Sequence, residues 1–265
     1  MEHSEKIIDL LRSGGELNIE LSYHLAKSQE AGSEFYYLLR FGRMLDYLRS
    51  FQNIEIIEFD FKAPNPEKIE NTEFNIGMPL DKALKRFYSQ CNGMSIQWRF
   101  INPDKIKKLF DIDGMFKIPG IEELYGSKPS TNIVNNSSIV LYGTEISKEE
   151  IRKYFLKFEE NIDFEVLAFT GSGFKPNPLL FISDESANYF FDSRTIHIPA
   201  YIELLFHCCG SIEAREKLLR KHKGYKLPIA LLDSDWFEKH HQPDFSTYPP
   251  TYFYPETRFY KNVEF

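Results

Sequence analysis

Two aspartates near the carboxyl end of the chain have a type and spacing that could hold a metal ion. Asp233 and Asp235 follow an apolar stretch at 229–232 that predicts a short strand, and His240 and His241 come soon after. Carboxylates at a strand end could bind Mg²⁺, because hard cations prefer oxygen ligands. Asp235 could equally be the N-cap of a following turn, since Asp is a preferred capping residue. A metal-dependent hydrolase or transferase that uses Asp233 and Asp235 is therefore an alternative function for this chain.

Three other motifs contain reactive or ligating residue types but lack the pattern that a site needs. The segment 170–173, Thr-Gly-Ser-Gly, lacks the Lys-Ser/Thr ending of a P-loop, and prolines after it block a helix. Residues 207–209, His-Cys-Cys, would point about 100° apart on a helix and could not easily share one zinc ion. Cys91 lies on the apolar face of a predicted helix, which favours packing over nucleophilic catalysis. We therefore predict no catalytic residue, no metal and no cofactor.

Two segments carry residue types that bind other proteins. The stretch 215–226 is basic, which indicates either a contact with phosphate or an acidic partner, or the solvated face of an amphipathic helix. The tail 243–265 is rich in proline and aromatic residues, and its prolines prevent a regular helix. Its aromatic rings would form a costly apolar patch if they were exposed to solvent. Those rings pack either on the domain itself or on a partner, where Tyr and Phe are common. The candidate partner contacts are Arg215, Arg220, Tyr252 and Tyr254.

Composition narrows the class of protein further. Among 265 residues, 32 Lys and Arg stand against 39 Asp and Glu, and this net charge of −7 argues against a nucleic-acid binder. Three cysteines are too few for a disulfide scaffold and fit a reduced compartment. No apolar run is longer than the one at 35–39, which is too short to cross a membrane, and the acidic N-terminus is unlike a signal peptide. The sequence thus predicts a soluble cytoplasmic protein.

Helices and strands interleave irregularly in the predicted pattern. Apolar spacing and capping residues predict helices at 17–51 (one helix, or two that break near Gly32), 80–91, 102–110, 147–158, 198–209 and 211–223. Alternation predicts strands at 54–61, 94–100, 139–142, 164–169 and 229–232, and a hairpin of 179–183 with 189–192. The segment 117–136 has the Pro and Gly content of a loop.

This order predicts an α+β fold, a single domain with a central, mostly antiparallel sheet flanked by helices. Within it we distinguish an N-terminal helical segment packed on the core (1–52), an α+β core (53–226) and an aromatic, proline-rich extension (227–265).

The stretch 80–100, LDKALKRFYSQCNGMSIQWRF, resembles the signature of the SUKH superfamily, which contains fungal cell-wall-synthesis regulators and bacterial immunity proteins. The matching features are a helix with Phe-Tyr, an Asn-Gly stop at Asn92 and Gly93, and a strand that carries Trp98. The resemblance extends over about 34–223 and implies an α+β fold that binds proteins and has no catalytic machinery. Physically, Asn92, Gly93 and Trp98 read as structural: Gly93 as a left-handed helix stop and Trp98 as a buried ring.

These observations together favour a non-catalytic protein-binding module, most specifically a cytosolic immunity protein that neutralises a toxin. The net charge of −7 would steer such a protein onto a basic toxin, since complementary charge speeds association. An intracellular regulatory scaffold resembling the fungal members differs only in its partner, and the oligomeric state stays open.

Overall fold

Helices and strands of moderate length fill the part of the chain that the computed structural model describes. The described residues are 35–101, 112–127, 138–141, 144–160, 164–171, 175–176, 178–184, 189–190, 195–215 and 243–247. The helices are α1 (Tyr36–Arg49), α2 (Pro66–Ile76), α3 (Lys82–Gln90), α4 (Ile121–Gly126), α5 (Lys148–Tyr154) and α6 (Ile198–His207). The strands are β1 (Ile54–Phe61), β2 (Met94–Phe100), β3 (Gly114–Ile118), β4 (Ser138–Leu141), β5 (Thr144–Ile146), β6 (Phe155–Glu160), β7 (Phe164–Phe169), β8 (Leu179–Asp184), β9 (Tyr189–Phe190) and β10 (Thr195–His197).

The α+β class is confirmed, and the described strands form three sheets rather than one central sheet. The first sheet has the order β1-β2-β3, the second β10-β8-β7-β6 and the third β5-β4-β9. The pairings are antiparallel except for β4 with β9, which run parallel. The predicted strands at 54–61 and 94–100 are confirmed, and β1 pairs with β2 from Ile54 opposite Phe100 to Phe61 opposite Met94.

The predicted hairpin of 179–183 with 189–192 is wrong. β8 pairs with β7 on one edge and with β10 on the other, while β9 pairs with β4. Because β8 already has a neighbour on both edges, no hydrogen-bonding edge remains for β9.

The strand β6 has apolar residues at the spacing that is typical of a helix. The predicted capping box at Ser147 is confirmed, but α5 ends at Tyr154, and Phe155 and Phe158 belong to β6. A β-bulge between Lys157 and Glu159 interrupts the alternation of β6. The bulge buries two phenylalanines three residues apart, and this spacing imitates one face of a helix.

The predicted loop at 117–136 is also wrong where the structure describes it, because the segment contains the end of β3 and all of α4. In β3 the buried Phe116 and Ile118 alternate with Met115 and Lys117, so the strand is half-buried but too short to stand out. The predicted helix 102–110, the strand 229–232 and the ends of the helices 17–51 and 211–223 lie outside the described residues.

One aromatic core joins these elements. Leu38, Phe41 and Leu45 of α1 are fully buried in the same cluster as residues of α3, β2 and α6. The Phe41 ring packs edge-on against the Phe61 ring, with the two ring centroids 4.2 Å apart. No helix among the described residues is long and apolar enough to cross a bilayer.

The Asn92-Gly93 turn connects α3 to β2. The predicted positive φ of Gly93 is confirmed at 101°. The C-cap of α3 is the extended residue Cys91, so the left-handed residue lies in the turn into β2 and not at the helix cap itself. The side-chain oxygen of Asn92 accepts a hydrogen bond from the Ile121 N–H at 2.9 Å, which fixes the start of α4. The structural role predicted for both residues therefore agrees with their contacts.

Replacing Gly93 with alanine is expected to destabilise the fold by about 2–5 kcal/mol. A β-carbon at Gly93 would lie 2.7 Å from the carbonyl oxygen of Ile118. In addition, the φ of 101° at this position is one that residues with a side chain rarely adopt. The measurement is urea unfolding. Gly126→Ala is the control, since a β-carbon there meets nothing within 4 Å, and equal midpoints for the two variants would contradict the argument.

Candidate functional site

Arg215, predicted as a partner contact, lies in the interior with a side chain that is 0% exposed. This prediction is wrong, because the guanidinium is enclosed between the first and second sheets instead of lying on a solvated helix face. Nη1 donates to the Glu159 carboxylate of β6 at 2.9 Å, and Nη2 donates to the Met115 carbonyl of β3 at 2.6 Å. Tyr201 of α6 donates its hydroxyl proton to the same carboxylate at 2.6 Å.

This buried cluster is structural. Burial alone would lower the pKa of Arg215, but the charge of Glu159 outweighs it and raises the pKa above its ordinary value. Burial and the Glu159 charge raise the pKa of Tyr201, which keeps its hydroxyl protonated as a donor. The two opposite charges pair with each other, so the cluster holds together elements from both sheets and α6.

The remaining structural predictions agree with the structure. Trp98 is fully buried and donates its indole N–H to the Cys209 carbonyl at 2.7 Å. Phe245, from the aromatic tail, is fully buried with its ring centroid 5.0 Å from that of Trp98. The described part of the tail therefore packs on its own domain.

Several predicted residues lie outside the described residues. They are Arg220, Tyr252, Tyr254, Asp233, Asp235, His240 and His241. Among the described residues, no group of three or more metal-ligating side chains comes together.

The three cysteines are fully buried. Burial raises the pKa of Cys208 to about 12, and it raises those of Cys91 and Cys209 well above the ordinary value as well. The thiols are thus held in their protonated, unreactive form, which agrees with the packing role predicted for Cys91.

An open groove lies between α2, α4 and α5. It has a volume of about 480 Å³ and a mixed polar and apolar lining. Its walls are formed by Asn71, Thr72, Asn75, Ile76, Glu122, Tyr125, Gly126, Lys153, Leu156, Thr170 and Lys175.

An exposed aromatic residue lies on the helix that forms one wall of this groove, although it does not itself line the groove. Phe74 of α2 is 85% exposed, the most exposed large apolar side chain in the described part of the chain. It follows Asn71 of the groove wall by three residues, so the two side chains are neighbours on the helix surface. Met78, 38% exposed, comes directly after the end of α2.

The groove is locally basic. Glu122 is neutralised by Lys68 at 2.7 Å, whereas no carboxylate of the described residues lies within ion-pair distance of Lys153 or Lys175. The Lys175 ammonium donates to the Ile76 carbonyl at 2.8 Å. The Lys153 ammonium lies 4.9 Å from the centroid of the Tyr154 ring. Two cations thus line a groove on a protein of net charge −7.

The sequence-based predictions missed this surface because they missed α2. The signal was present: Asn65 caps the helix by accepting from the Lys68 N–H at 3.1 Å, Pro66 occupies the first turn, and Gly77 ends the helix with φ 75°. The apolar spacing of α2 is weak, since its buried apolar residues are Ile69 and Ile76.

No family model matches the chain, and no curated protein is significantly similar to it. The SUKH resemblance therefore rests on the sequence features quoted for it, above all the stretch 80–100.

Removing one charge of the buried pair is expected to cost about 3–5 kcal/mol, because the other charge is left unpaired in the interior. We expect this loss for Arg215→Met in urea unfolding, and a smaller loss than the sum of the single changes for Arg215→Met combined with Glu159→Gln. Arg99→Met, which removes an exposed pair with Glu55, is the control and should change stability little. Additive losses would contradict the coupling.

The buried thiols are expected to resist labelling by a thiol-specific disulfide reagent at pH 8. Since their pKa values are raised, the thiolate fraction at this pH is small and the reagent has no access. Three equivalents should react after unfolding in urea. A thiol that reacts within seconds in the folded protein would contradict the structural role.

Proposed function

We propose that the protein is a non-catalytic protein-binding module, and most specifically a cytoplasmic immunity protein that neutralises a partner toxin. The observation that carries the proposal is the exposure of Phe74 on α2, an ordered helix whose other residues form one wall of an open groove. A partner that covers this ring gains roughly 1.5–3 kcal/mol from its burial.

The helix that carries Phe74 is held firmly in place. The Glu73 carboxylate accepts hydrogen bonds from the Leu80 N–H and the Lys85 ammonium, both at 2.9 Å, which ties the end of α2 to α3. Because the ring is presented from a fixed backbone, a partner meets little loss of conformational entropy on binding. Aromatic side chains on rigid elements are the usual anchors of protein interfaces.

The net charge of the protein and its resemblance to the SUKH superfamily indicate the kind of partner that we propose. Many bacterial members of the SUKH superfamily neutralise a toxin encoded beside them, and the net charge of −7 favours a partner with a basic surface. A regulatory scaffold would use the same surface for a housekeeping partner, so the identity of the partner distinguishes the two.

Phe74→Ala is expected to weaken partner binding at least about 10-fold while the melting temperature stays unchanged, because the ring is exposed in the free protein. The measurement is affinity capture of the tagged protein from its native lysate, identification by mass spectrometry, and titration with the purified partner. Ile101→Ala, which removes an exposed side chain elsewhere, is the matched control.

The toxin proposal is then tested by expression of the captured protein alone and together with this chain. Suppression of its toxicity by the wild type but not by Phe74→Ala supports immunity. A non-toxic housekeeping partner would replace immunity with the scaffold. Equal affinity of Phe74→Ala and the wild type would remove this surface from the interface.

A further inference from the structure

We infer that the groove between α2, α4 and α5 binds an extended acidic segment of the partner. In this arrangement carboxylates of the segment pair with Lys153 and Lys175, and an apolar side chain of the segment packs on Phe74. The inference rests on the proposed protein-binding function and names the chemistry of the segment that the surface selects.

The charge balance of the groove supports an acidic occupant. Among the described residues of the groove lining, Glu122 supplies the one carboxylate, and Lys68 already neutralises it from outside the groove. Lys153 and Lys175 therefore leave an excess of positive charge that carboxylates would complement. A basic segment would place its ammonium groups against these two lysines.

Both lysines are partly pre-positioned. The Ile76 carbonyl, at the end of α2, accepts one hydrogen of the Lys175 ammonium and leaves two to donate to a ligand. The backbone of Lys175 is fixed too, since the Tyr125 hydroxyl donates to its carbonyl at 2.8 Å. Lys153 keeps its ammonium beside the Tyr154 ring, which leaves its donors open to a carboxylate.

Asparagine side chains suit the main chain of the segment. Asn71 and Asn75 line the groove, are exposed, and make no side-chain hydrogen bond to other described residues. An amide offers both donors and an acceptor, which is what the N–H and C=O groups of an extended peptide require. The volume of about 480 Å³ lies within the range of roughly 300–1,000 Å³ of pockets that hold a compact ligand.

A peptide fits these observations better than a nucleic acid. Binding to a phosphate backbone depends on many cationic contacts, for example roughly 6–10 in a salt-sensitive duplex complex. The described residues of the groove lining provide two, on a protein whose net charge of −7 repels a phosphate backbone elsewhere.

The test uses the full-length ¹⁵N-labelled chain and three synthetic decapeptides with the same Leu, Phe and Gly residues, which differ only in carrying Glu, Gln or Lys at the other positions. Binding is followed by amide chemical shifts. We expect the Glu peptide to shift the amides of Asn71, Asn75 and Lys153 and to bind about fivefold more tightly than the Gln peptide, with the Lys peptide weakest.

Lys153→Glu should weaken the Glu peptide by about fivefold or more. The matched control is Arg152→Glu, the same charge change at the adjacent exposed position of α5, which does not line the groove. Equal affinity for the three peptides, shifts confined to another surface, or no shift at millimolar peptide would overturn the inference. A decathymidylate that binds more tightly than the Glu peptide, and depends on Lys153, would replace the peptide with a nucleic acid.

The same variants separate this inference from the proposed function. If Phe74→Ala abolishes partner capture and Lys153→Glu leaves it unchanged, the protein-binding function is supported and the binding of an acidic segment in the groove is contradicted. A Glu peptide that binds the groove while Phe74→Ala captures its partner normally would remove Phe74 from the interface and leave the groove site standing.

Discussion

The ion pair between Glu159 and Arg215 is the constraint on which the rest of the structure depends. Both side chains are completely removed from solvent, so each charge must be satisfied inside the protein or the fold loses several kilocalories per mole. The pair reaches the Met115 carbonyl of the first sheet, a strand of the second sheet, and Tyr201 of α6. Such a pair contributes less to stability than to specificity, because a shifted arrangement of sheets would leave a buried charge without its partner.

In the apolar part of the interior, Trp98 is the side chain that connects several elements of the fold. Its ring packs so closely over Gly114 that a β-carbon at that position would overlap the indole, and its N–H is used by the Cys209 carbonyl after α6. Phe245 then closes over the ring from the far end of the chain, with its own carbonyl held by Asn53 at 2.8 Å. One side chain of β2 thus gathers β3, the end of α6 and the described part of the tail into a single core.

The elements that local sequence could predict are those whose pattern is complete within one segment. β2 alternates strictly, β1 alternates apart from one bulge between Ile56 and Glu58, and Ser147 with Glu150 marks the start of α5. The failures come from long-range pairing and from irregularity. Arg215 reads as a surface cation because its partner is 56 residues away, and β6 reads as helix because of its bulge. The groove could not be predicted at all, since Lys153 and Lys175 meet only through the packing of α2, α4 and α5.

In this acidic protein with a locally basic groove, charge acts in two ways on a proposed partner, at long range and at contact. The net charge of −7 acts over about a Debye length of roughly 8–10 Å and orients an approaching partner as a whole. Lys153 and Lys175 act only at contact, where solvent is displaced and the effective dielectric constant falls. In the proposed complex, long-range attraction therefore selects the partner's basic surface, while the groove selects one acidic segment within it. Because α2 is capped at both ends and tied to α3 through Glu73 and Lys85, the backbone that carries Phe74 is held in place. In the proposed complex a partner must match both an apolar contact and two charges, and this joint requirement, rather than the buried area alone, gives such a surface its specificity.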